Sequence, residues 1–257
     1  MKNSIRMVAA GFAALVVLTP AGIASAAEVK LFSTFATRAI VEDLAPKFEK
    51  ASGHKVANSI ANSGVTVKRI QGGDIPDVVI GSRDGIDDLM KDGKVAAHNV
   101  TVIARSGLGV AVRKGASKPD ISSPEALKRA LLAAKSITYN DPAMTGSSSS
   151  GIHFAKVLDR LGIAKEMKAK TVLAKNDAGD LVAAGKAELG VTTMSSFMPV
   201  TGIDIVGPLP GDLQANTVYA AAIPTGAKNA AAAKALVNFL RTPESATVIK
   251  AKGMEPG

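Results

Sequence analysis

"NVTVIARSGLGVAVRKG", residues 99–115, and "NTVYAAAIPTG", residues 216–226, are the two stretches on which the fold turns. Both are long, apolar and β-like, as buried strands are. Ahead of the first, "EVKLF" (28–32), "HKVANSIANSG" (54–64) and "DIPDVVIGS" (74–82) read as shorter strands, the last apolar on both faces as in a parallel sheet. Helical patterns separate them. In "STFATRAIVEDLAPKFEKASG" the residues Ile40, Val41, Leu44 and Phe48 recur at helical spacing, and Gly53 stops the helix. Pro46 inside that pattern is expected to kink or break it. "VTVKRIQGG" (65–73) and "GIDDLMKDGKV" (85–95) read as further helices.

Between the two long stretches the alternation repeats. "SSPEALKRALLAAK" is a helix with Ser123 as N-cap and Pro124 at its first position. "SITYND" (136–141) is a strand, "SGIHFAKVLDRLG" (150–162) a helix, "NDAGDLVAAGKAEL" (176–189) a helix and "GVTTMSS" (190–196) a strand. The tail "NAAAAKALVNFLRTPESATVIKAKG" gives two helices, the second opened by Thr242 and Pro243. Such alternation indicates βαβ units and a mainly parallel sheet. The expected α/β fold has two lobes: residues 27–108 with 219–257, and residues 109–218, joined by strands that cross out and back. Ligands of open α/β sheets sit at the carboxyl ends of strands. Two such ends facing one another make a cleft that can close.

Composition narrows the chemistry. Residues 1–26 carry Lys2 and Arg6, an apolar run from Met7 to Leu18, and Ala24-Ser25-Ala26 as a small-x-small cleavage pattern. That is a signal peptide, cleaved near Ala26, and its apolar run is too short to span a bilayer. The mature chain is expected in the periplasm, starting at Ala27 or Glu28, not membrane-embedded and monomeric. The 257 residues contain no cysteine, which excludes lipid attachment, disulfides, thiol catalysis and metal–thiolate sites. Net charge falls from +9 to +7 once Lys2 and Arg6 leave. The basic residues are dispersed among acids, and aromatics make up only 4% of the chain, so no nucleic-acid partner is expected. A small anionic ligand suits the charge better.

One further stretch carries candidate chemistry: "NDPAMTGSSSSGIHFAKVLDRLGI", residues 140–163. Its "GSSSSG" lacks the G-x-S-x-G spacing of a nucleophile elbow. Ile152 and His153 stand where a phosphate-binding Walker loop needs lysine and a hydroxyl residue. What remains is either an anion pocket rich in N–H and O–H donors or a flexible loop.

Taken in order, "LFSTFATRAIVEDLAPKFEKASGHKV", "NSGVTVKRIQGGDIPDVVIGSRDGIDDLMKDGKV", "SGIHFAKVLDRLGI" and "AELGVTTMSS" resemble the periplasmic molybdate-binding proteins. The likeness extends to the broad molybdate-binding-like branch of solute-binding proteins that serve ABC importers, over residues 28–254. It implies a type II periplasmic binding protein fold with two crossover strands, an ABC permease as partner and no cofactor. It also implies an oxyanion held by neutral hydroxyls and helix N-terminal N–H groups. Ser63 falls where the family has a binding serine, and Ser149, Ser150 and Gly151 where a backbone N–H is supplied. Ala36 replaces a first-lobe serine, with Thr34 and Thr37 nearby, and Thr193 replaces a tyrosine. Those departures count against molybdate itself.

The remaining candidates each have two readings. Asn62 adjoins Ser63 as a ligand donor. Arg38, in the first turn of a helix, opposes the helix dipole unless a carboxylate pairs with it; otherwise it is a surface arginine. Arg83, beyond a strand end, has the same two readings. His153 is a packed or capping histidine, a ligand donor or a proton-transfer group. No spacing of the three histidines points to a metal. Asp141, Asn176 and Asp177 read as loop and cap residues, with acid–base work the alternative. Two functions follow. One is a receptor that captures a small organic carboxylate or oxyanion for import. The other is a cofactor-independent isomerase resembling aconitate isomerase, with His153 and Arg38 in catalytic roles.

Overall fold

The computed structural model describes residues 26–143 and 149–257. The signal-peptide reading, except for Ala26, and the Gly146–Ser148 part of the serine loop lie outside the described residues. The first region lays out β1 (Glu28–Thr34), α1 (Arg38–Ser52), β2 (Lys55–Ala61), α2 (Ser63–Gln71), β3 (Val78–Ser82) and α3 (Arg83–Lys91). A 19-residue strand, β4 (Val95–Arg113), then leads into α4 (Pro124–Ala133), β5 (Ile137–Asn140), α5 (Ser149–Arg160) and α6 (Ala164–Lys168). There follow β6 (Thr171–Ala174), α7 (Ala178–Ala183), β7 (Leu189–Thr193), α8 (Met194–Phe197) and β8 (Ile203–Pro208). The chain returns through β9 (Asn216–Pro224) and ends in α9 (Ala230–Phe239), α10 (Pro243–Ala251) and β10 (Glu255–Pro256).

The strand order is β2-β1-β3-β9-β4-β7-β5-β6, with β8 and β10 also on β4. Pairing is parallel between β1 and β2, β1 and β3, β5 and β6, and β5 and β7. The long strand serves both halves. Val95–Gly107 pairs antiparallel with β9, whereas Leu108–Val112 pairs antiparallel with β7 and Gly109–Arg113 with β8. Every antiparallel pairing involves β4 or β9, the two long strands. These five pairings outnumber the four parallel ones, so the sheet is mixed and not mainly parallel as the alternation suggested.

Each half has its own core. In the first, Leu31, Ile40, Leu44 and Phe48 pack with Ala233 and Leu236 on one sheet face. Phe32, Val67, Ile70, Ile86 and Leu89 fill the other. In the second, Leu108, Val110, Leu127, Leu131, Ile137, Phe154 and Val157 form a single cluster. Burying a side chain of this size contributes about 1.5–3 kcal/mol, so two separate cores sustain two lobes without a disulfide.

Two further features depart from the sequence reading. First, α1 runs unbroken through Pro46. Pro46 and Glu42 are both on the exposed side, so the carbonyl that loses its partner is hydrated and the helix continues. Second, the sequence reading passes over β6, α6 and β8. These are short, and β8 is only half-buried along its length, which erases a strand's alternation.

Candidate functional site

A small cavity lies where the two lobes face each other, with about 40 Å³ of space for water-sized groups. The first lobe contributes Thr34, Phe35 and Ala36 from the end of β1, Asn62 and Ser63 at the start of α2, and Ser82 at the end of β3. The second contributes Asn140, Ser150, Asp177, Thr192, Thr193 and Ser196, and β9 adds Tyr219. Apart from Tyr219, which lies within β9, these are carboxyl ends of strands and the turns and helix starts after them, where backbone N–H groups of following helices point outward.

Five sequence candidates meet here: Thr34, Asn62, Ser63, Ser150 and Thr193. Ser63 Oγ accepts from the Ser82 N–H at 3.3 Å, which sets its side chain against the end of β3. Asn62 reaches across the gap and donates from Nδ2 to the Lys175 carbonyl. Thr193 Oγ1 lies 2.9 Å from Ser196 Oγ. Gly151 is not a lining residue, but it fixes the approach of α5. A Cβ there would stand 2.1 Å from the Asn140 carbonyl oxygen, so only glycine lets α5 start against the end of β5. Ser149 opens the same helix.

The other candidates lie elsewhere. Arg83 Nε donates to Asp87 Oδ1 at 2.7 Å on a partly exposed face of α3. His153 Nε2 lies 2.8 Å from the Leu213 carbonyl and lines a different cavity with Asp84, Lys156 and Thr217. Arg38 is half-buried and has no hydrogen bond or ion pair among the described residues, though its charge acts on Asp177. Of the two hydroxyls near Ala36, Thr37 is committed locally. Its Oγ1 accepts from the Thr34 N–H at 3.2 Å and donates to the Thr34 carbonyl at 3.1 Å. Thr34 alone of the pair faces the cavity.

Two lining residues carry chemistry that the sequence left unassigned to a pocket. Tyr219 is buried and hydrogen-bonded to Thr193 and Thr217, and burial pushes its hydroxyl up to about 12. It stays protonated and supplies a phenolic O–H beside the position where Thr193 replaces a tyrosine. A sequence signal existed: one of only two tyrosines in the chain sits inside "TVYAAAIP", where a lone hydroxyl needs a partner. Asp177 does act as the N-cap of α7, accepting the Gly179 N–H on Oδ1 at 2.9 Å. It is also 3% exposed, and its Oδ2 is buried without a hydrogen-bond partner among the described residues. Burial raises its carboxyl from 3.8 to about 6; the Gly179 N–H and Arg38 oppose the shift and Asp180 adds to it. An otherwise neutral ring of donors thus contains one acid.

The family model described as bacterial extracellular solute-binding protein matches residues 29–255. The chain belongs to that family.

Among its relatives is an aconitate isomerase from Pseudomonas sp, 34% identical over 84% of this chain and 83% of that protein. Another is the molybdate-binding protein ModA of Azotobacter vinelandii, 30% identical over 93% of this chain and 96% of that protein. A solved periplasmic molybdate-binding protein from Azotobacter vinelandii superposes with a TM-score of 0.73 at 22% identity, covering 88% of this chain and 98% of that one. The solute-binding protein therefore has the two-lobed α/β architecture, and its cavity lies in the interlobe cleft. Among its described residues no helix is long and apolar enough to cross a membrane.

Proposed function

We propose that this protein is an exported receptor that captures a small anion, an organic carboxylate or an oxyanion, in the interlobe cavity. It would then deliver the anion in the periplasm to an ABC permease, as a monomer freed of residues 1–26. The observation that carries this reading is the ring of neutral donors supplied by both lobes, including Thr34, Ser63, Ser150, Thr193 and Tyr219. Neutral donors hold an anion without leaving a buried cation unpaired when the site is empty. The cavity's small volume suits a single anionic head group. The relative that binds molybdate and the family description support the receptor role.

The working parts are the lobes 27–108 with 219–257 and 109–218, hinged where β4 and β9 cross. A ligand that touches both lobes favours the closed arrangement by the difference between its contacts in the closed and open forms. The Asn62 bond to Lys175 joins the lobes at the rim of the cavity and adds to that preference. A thermal-shift panel of oxyanions and of di- and tricarboxylates tests the reading. At least one anion should raise Tm in proportion to the logarithm of its concentration. A panel that leaves Tm unchanged throughout would sink it.

A second reading, an isomerase of a small unsaturated tricarboxylate, is favoured by one observation. Asp177 places an acid–base group with a pKa of about 6 in the cavity, and an allylic proton shift needs one such group. The relative named aconitate isomerase lends support. On this geometry Asp177 is better placed than His153 for proton transfer, with Arg38 modulating its charge. Proton NMR with trans-aconitate in deuterated buffer tests it. Deuterium uptake with appearance of the cis isomer supports the enzyme, and binding without exchange leaves the receptor alone.

A further inference from the structure

An anion pocket with a carboxyl group in its wall is a physical conflict. Two like charges about 4 Å apart repel by about 4 kcal/mol near a protein surface, where the effective dielectric constant is about 20. A buried acid with a free oxygen can avoid that cost in only two ways: it is itself protonated, or its ligand brings a proton. Asp177 has such an oxygen. Its Oδ1 is held by the Gly179 N–H, while Oδ2 is buried, without a hydrogen-bond partner among the described residues, in a residue that lines the cavity. Among the described residues no cation pairs with it directly. Arg38 on α1 acts on it through charge alone, Asp180 on its own helix opposes ionisation, and Tyr219, the other titratable group of the cavity, stays protonated.

We propose that on ligand entry the Asp177 side chain turns its buried Oδ2 into the cavity and holds the anion through one shared proton, so that a proton-bearing anion is selected over a fully ionised one. The preferred class at neutral pH is then a monohydrogen oxyanion or a partly protonated carboxylate. A fully ionised dianion binds only by drawing one proton from solvent onto Oδ2. This rests on the reading of the cavity as the ligand site. It adds a selection rule that the hydroxyl ring cannot supply, because hydroxyls can both donate and accept. The raised carboxyl pKa of about 6 sets the range in which the rule operates.

Isothermal titration calorimetry with sulfate, inorganic phosphate and citrate, in two buffers of different ionisation enthalpy, counts the protons taken up. Between pH 7 and 8.5 the unmodified protein should take up about one proton per sulfate or citrate bound. Its affinity for either should fall about tenfold per pH unit, as one-proton linkage requires. Monohydrogen phosphate should bind at least tenfold more tightly than sulfate at pH 8. Asp177→Asn keeps the capping oxygen of α7, and should bind sulfate with no proton uptake and no pH slope. The count on the unmodified protein stands without any variant. Binding of sulfate or citrate with no proton uptake, or an Asp177→Asn protein with the original pH slope, would overturn the inference while leaving the cavity as the binding site. No binding of any of the three probes would overturn the site reading itself, and the inference with it.

Discussion

Asp77, in the first lobe, and Asp177, in the second, are buried to nearly the same degree, 4% and 3% exposed. They meet opposite fates. Asp77 Oδ2 accepts from the Lys30 N–H at 2.9 Å and from Asn229 Nδ2 at 3.1 Å, and its Oδ1 accepts from the Asn229 N–H at 2.8 Å. Burial pushes its carboxyl up, but these donors outweigh burial and the group is held below its ordinary 3.8. Asp177 has the Gly179 N–H on one oxygen and nothing on the other among the described residues, so burial wins. Both carboxyls have little exposed surface, but Asp177 lies deeper and has fewer donors, and the two effects together decide ionisation. Asp77 ties β1 to the start of α9 and serves the fold. Asp177 is left incompletely satisfied at the cleft, where a ligand can complete it.

The contrast predicts opposite pH signatures. Replacing Asp77 by alanine should cost about 3 kcal/mol at pH 7, since buried donors lose a charged partner. A group with a lowered folded pKa stabilises above its unfolded value of 3.8, and that stability is lost as pH falls through its folded value. Urea unfolding across pH should therefore find the deficit shrinking in acid. Asp177→Asn should instead gain about 2 kcal/mol at pH 8, a raised pKa of this size being worth somewhat more before loss of a helix-start charge. Here the sign reverses: the neutral acid costs nothing below 3.8, and the penalty grows until about 6. The gain should vanish in acid, and equal pH slopes for the two variants would erase the contrast. Tyr219→Phe should cost about 1 kcal/mol by leaving Thr193 and Thr217 short of a partner. Calorimetry should find weaker anion binding as well. Smallest of all, Arg83→Ala should change stability by less than about 0.5 kcal/mol, because its pairing with Asp87 is partly exposed. Anion affinity should not move; a large change there would bring Arg83 back into the site.

Much of the site was legible because it depends on local chain order. Ser63 and Ser150 lie at helix starts after polar turns, and helix starts in an α/β alternation collect at one end of the sheet. Asp177 was legible as a cap, since capping is set by its own next two residues, and its acid–base alternative had nothing local to favour it. Its unsatisfied oxygen depends on what the opposite lobe leaves out. His153 shows the reverse: it is next to the serine loop in sequence, yet its ring turns to the Leu213 carbonyl, 60 residues away.

The sequence by itself determined the alternation of strands and helices, the two cores and the crossing strands, because hydrophobic period and turn chemistry are short-range properties. Only the tertiary structure decided that Tyr219 joins Thr193, that Pro46 leaves α1 intact, and which of two buried aspartates keeps an oxygen in reserve. Burial and donor count are sums over neighbours distant in the chain, and no local pattern of residues encodes such a sum.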